Sequence, residues 1–151
     1  MFGTRVSGVV LAVGMAAGAV GWTTAQRPAD RVPVAAVSRE EPPQETVTVL
    51  VEQALPNVPG KTFTSAIVDF PPGSRAVPHR HGEAFVYAYV LNGAVRSQLE
   101  GQPVQTYSAG QNWVEPPGAH HVLTENTSAT EPAKLLVVFI SNTGDQIRIP
   151  D

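Results

Sequence analysis

Proline and glycine interrupt this chain at every turn: fourteen prolines and thirteen glycines are spread through 151 residues. That punctuation favours short strands over long helices. The segments between the interruptions agree. Thr46-Val-Thr-Val-Leu-Val51 is β-branched and alternates well enough for a strand. Thr62 to Phe70 predicts a second strand, stopped by Pro71-Pro72-Gly73. Phe85-Val-Tyr-Ala-Tyr-Val-Leu91 is the most strand-like run, and the Asn92-Gly93 behind it predicts a tight hairpin, because both residues tolerate positive φ. Ala94 to Leu99, Val104 to Tyr107, Asn112 to Glu115 and His121 to Thr124 read as shorter strands. Leu135 to Ile140 is continuously apolar and reads as a strand buried on both faces. About eight short strands with turns between them and no helical period predict a β-sandwich or barrel.

The N-terminus has another character. Arg5, an uncharged Gly/Ala-rich apolar run from Val6 to Val20, and the small residues Thr23-Thr24-Ala25 read as a secretory signal peptide over residues 1–25. The run is shorter than the roughly 20 residues of a membrane span, so cleavage is expected and stable membrane insertion afterwards is not. Residues 26–46 hold four prolines, Pro28, Pro33, Pro42 and Pro43, among polar and charged residues, and read as a flexible linker. That leaves residues 47–151 as one domain. The expected location is the periplasm or the outside, which suits a chain without cysteine. Ten Lys plus Arg stand against thirteen Asp plus Glu with no basic run, so nucleic acid is excluded as a partner. With no cysteine there is no thiol nucleophile.

All four histidines, His79, His81, His120 and His121, fall in two short stretches. On a strand, His79 and His81 point to one face and converge on one space. Converging imidazoles suit a divalent transition metal: iron, manganese, nickel, zinc or copper. His120 and His121 are neighbours and face opposite ways on a strand, so one of them at most joins such a site.

The two stretches resemble the paired motifs of the cupin superfamily, small double-stranded β-helix (jelly-roll) barrels that hold a metal in the barrel mouth. Gly73, His79, His81 and Gly93 fit the first motif, G-x5-H-x-H-x3/4-E-x6-G. Gly110, Pro116, Gly118 and His121 fit the second, G-x5-P-x-G-x2-H-x3-N, although Asn126 comes one residue late and Glu125 stands in its place. The resemblance implies an all-β cupin barrel after the signal peptide and Pro-rich linker, with His79, His81 and His121 as metal ligands. It leaves His120 solvent-facing or hydrogen-bonded. The family's glutamate ligand belongs at position 86, where this chain has Val86. Glu83 is the candidate substitute, unless Gly82 bends the strand and uncouples its register.

If position 86 points inward, Val86, Ala88 and Val90 line the barrel, and Phe85, Tyr87, Tyr89 and Leu91 form an apolar ridge outside. That ridge is expected to pack under the N-terminal strand or against a second subunit, giving a homodimer. Trp113 is expected at the rim or in the core. Arg75, beside the mouth, is the best candidate for clamping an anionic ligand. The resulting expectation is a secreted metal-binding domain, in its enzymatic form an oxygenase or isomerase acting on a small molecule. The alternatives are a non-catalytic small-molecule or metal-binding barrel and a structural barrel that binds a protein partner. No catalytic residue is assigned, because fold does not fix function.

Overall fold

The structure, a computed structural model, describes residues 41–151. The expected signal peptide and the first part of the expected linker lie outside the described residues. Those described form ten strands and no helix: β1 (Thr46–Ala54), β2 (Lys61–Phe70), β3 (His79–Arg80), β4 (Phe85–Asn92), β5 (Ala94–Leu99), β6 (Gln105–Ser108), β7 (Asn112–Glu115), β8 (His120–Glu125), β9 (Ala133–Asn142) and β10 (Ile149–Pro150). They assemble into two five-stranded sheets, ordered β1-β2-β9-β4-β7 and β10-β3-β8-β5-β6, with every pairing antiparallel.

Alternation along the strands builds the core between the sheets. On β4, Val86, Ala88 and Val90 are buried, while Phe85 and Leu91 are 41% and 44% exposed. On β9, Leu135, Val137 and Phe139 go inward, whereas Leu136, Val138 and Ile140 remain half-buried outside. The strand expected to be buried on both faces is therefore buried on one. Burial of side chains such as Phe70 and Val95 contributes ~1.5–3 kcal/mol each. The outer apolar ridge exists as expected, but the N-terminal strand does not cover it: β1 lies in the same sheet, at the edge opposite β7.

Asn92-Gly93 does not close a hairpin. β4 and β5 belong to different sheets, and Gly93 is the corner between them. Its φ is 72°, and a Cβ there would lie 2.7 Å from the Pro132 carbonyl oxygen and 2.9 Å from Ala133 Cα. Gly93 thus serves a close approach of backbone as well as a left-handed conformation. The late arrival of Asn126 also has a structural reason. Opposite the Gln98–Leu99 step, β8 carries an additional residue, Val122, as a bulge. Past it, the buried Asn126 amide donates to the carbonyls of Phe70, Pro71 and Glu131, tying three segments together.

Candidate metal centre

His79 and His81 reach the centre from β3 and the turn behind it, and His121 from β8, where it pairs directly with His79. β3 ends at Arg80 and Gly82 follows in the turn at φ 56°, so Glu83 lies exposed there and is not part of the histidine group. The donor atoms of His79, His81 and His121 lie within 4.8 Å of one another, the one such group among the described residues. His120 points the other way, with Nε2 2.8 Å from Asp151 Oδ2.

Neighbouring groups set the protonation of each ring. A carbonyl only accepts, so His79 Nδ1–H donates to Val77 O at 2.7 Å and His81 Nδ1–H donates to Ile147 O. Both rings thereby present the Nε2 lone pair to the shared space. Burial lowers the His79 pKa to about 4, the Val77 hydrogen bond opposing, and burial likewise lowers that of His81. Neutral imidazole is the form that binds a metal. At His121, Nε2 lies 2.8 Å from Ser97 Oγ and 2.7 Å from Thr124 Oγ1. Its Nδ1 faces a carboxylate, Glu115 Oε1, at 3.0 Å.

Glu115 is the residue that sequence reasoning missed. It is 2% exposed and stands directly opposite Val86 in the β4–β7 register. Trp113 Nε1 donates to Glu115 Oε1 at 3.1 Å, which places Trp113 in the core rather than at the rim. Burial pushes the Glu115 pKa up, but the hydrogen bond from His121 and the charge of the histidines outweigh it, and the net shift is downward. Its parity with Trp113 puts the two on one face of β7, but the sequence does not say that this face points inward.

The three histidines and Glu115 sit in a cavity of about 90 Å³, whose walls include Val68, Phe70, Ala88, Leu135, Val137 and Phe139. Arg148 lines it too and is paired with the nearly buried carboxylate of Glu45. Arg148, and not Arg75, is therefore the cation at this pocket; Arg75 is exposed and lines a separate surface hollow with Glu41 and Pro42. Glu45 falls within the stretch read as linker, yet its side chain belongs to the pocket wall.

A family model described as the cupin domain matches residues 66–139. The barrel is a cupin domain. Solved cupin-like structures share the fold at low identity. An uncharacterized protein with a double-stranded β-helix domain from Klebsiella pneumoniae is 18% identical, with a TM-score of 0.56 over 74% of this chain and 88% of that one. The DMSP lyase DddQ from Ruegeria pomeroyi is 20% identical, with a TM-score of 0.58 over 71% and 51%. An oxalate oxidase in complex with the substrate analogue glycolate is 24% identical, with a TM-score of 0.55 over 73% and 56%. The match spans about half the length of the latter two enzymes. No match to a curated protein was found. In this cupin domain the three histidines that the motifs single out lie together in the pocket as a possible metal site, and the carboxylate beside them comes from β7.

Proposed function

We propose that this protein is a periplasmic or secreted metal-binding cupin, acting as a metalloenzyme on a small molecule. The observation that carries the reading is the convergence of three histidines, two of them presenting neutral Nε2 atoms, at one end of an apolar pocket. His79, His81 and His121 would hold the ion. Bound there, a divalent transition metal supplies a Lewis acid, or a centre for dioxygen chemistry, with coordination positions left for substrate.

The chain's own residues set the terms of binding. The apolar walls exclude water around any bound molecule and strengthen polar interactions inside. The space between the walls is about 90 Å³ and opens to solvent, so the part of a ligand that enters it is small. At the wall, the Arg148 guanidinium already carries a carboxylate, that of Glu45, and can offer the same fork geometry to an anionic ligand.

Elemental analysis of residues 26–151, produced without a histidine tag, tests the reading. About one metal per chain is expected, lost in the His79→Ala/His81→Ala variant. No metal in either protein after reconstitution with iron, manganese, nickel or zinc sinks it. Dioxygen uptake by the loaded protein, absent in His81→Ala, then separates the oxygenase form from a non-catalytic barrel.

A further inference from the structure

The family pattern asks β4 for a carboxylate at position 86, and β4 supplies valine. Residues directly opposite in an antiparallel pair share a face, with Cβ atoms ~5 Å apart. Glu115 is the partner of Val86, and both are buried. A longer side chain rooted one strand away therefore reaches the space that the expected glutamate would have filled. The two oxygens of Glu115 have different surroundings. Oε1 accepts from Trp113 and faces His121, while Oε2 is buried without a hydrogen-bond partner, 3.5 Å from His81 Nε2. A buried oxygen with no partner is costly unless something else satisfies it. Two donors ~2.1 Å from one ion at the tetrahedral angle stand ~3.4 Å apart, close to the observed separation.

We propose that Glu115 is the carboxylate ligand of this centre, moved from β4 to β7, so that three imidazoles and one carboxylate hold the metal. The proposal rests on the metal-binding reading above. His121 can serve either tautomer, because the Ser97 and Thr124 hydroxyls beside Nε2 accept a hydrogen bond as readily as they donate one. The carboxylate leaves a divalent ion one net positive charge in a water-poor pocket, where three neutral imidazoles alone would leave two.

Cobalt(II) alone is the metal for the test, read by its visible absorption bands, its stoichiometry and chelator competition. The protein is residues 26–151. Wild type should bind one cobalt per chain. Glu115→Gln keeps shape and an acceptor for Trp113; its bands should move and its affinity should fall on the order of tenfold or more. Val86→Glu in the Glu115→Gln background returns a carboxylate to β4 and should recover wild-type bands. Unchanged bands in Glu115→Gln would overturn the proposal and reduce Glu115 to an outer partner that only orients His121. Should Glu115→Gln not fold, Glu115→Asp, one methylene shorter, decides by the same bands. A wild type that binds no cobalt instead refutes the metal-binding reading itself.

Discussion

Burial holds the His79 imidazole at a pKa of about 4, against 6.5 for the ordinary group. Between those values the unfolded chain binds a proton at this position and the native chain does not, so metal-free stability should fall as pH drops from 6.5 toward 4. Glu115, also lowered, adds a loss only at the acid end, as pH falls through its folded value. Melting temperatures across that window, in chelator, should decline in wild type and decline less in His79→Gln. A flat profile would contradict the burial of a neutral ring. At this scale the histidines were legible because spacing and parity reveal convergence. Glu115 and Arg148 were not, because each reaches the pocket through pairings that spacing within one motif does not encode: β7 against β4 for one, the segment before β10 for the other.

Strands were easier to place than their partners. Local pattern marked β2, β4 and β5 closely, and a continuous apolar run marked the middle of β9 although only one of its faces is buried, but β3 and β10 are two residues each and carry no periodic signal. Asn92-Gly93 shows the difference most plainly: the dipeptide announces a reversal, and both a hairpin and a crossing between sheets satisfy it. The partners decide: β4 pairs with β7 and β9, β5 with β6 and β8, and Gly93 at the corner is crowded by Pro132. Gly93→Ala should accordingly destabilise the domain by roughly 2–4 kcal/mol, combining left-handed strain with a backbone clash. Urea denaturation measures it; a cost similar to that of an ordinary exposed glycine would mean the corner relaxes.

At the scale of the domain, one sheet face is apolar on its outer side among the described residues. Phe85, Leu91 and Val114 are each more than 40% exposed, and the half-buried Tyr87, Leu136 and Val138 adjoin them. A face of this kind fits the homodimer expected from the sequence. Sedimentation of residues 26–151 should give twice the monomer mass, reduced to one in Phe85→Asp; a monomeric wild type would reject the pairing. The ends of the domain matter in another way. Ile147 orients His81, Arg148 lines the pocket with Glu45, and β10 closes the sheet beside His79. All lie beyond the span 66–139 that marks the family. Anyone excising the domain at those limits would keep His79, His81, His121 and Glu115 and discard the acceptor that orients His81, the Arg148–Glu45 pair of the pocket wall and the strand beside His79. The working unit of this protein is larger than its recognisable one.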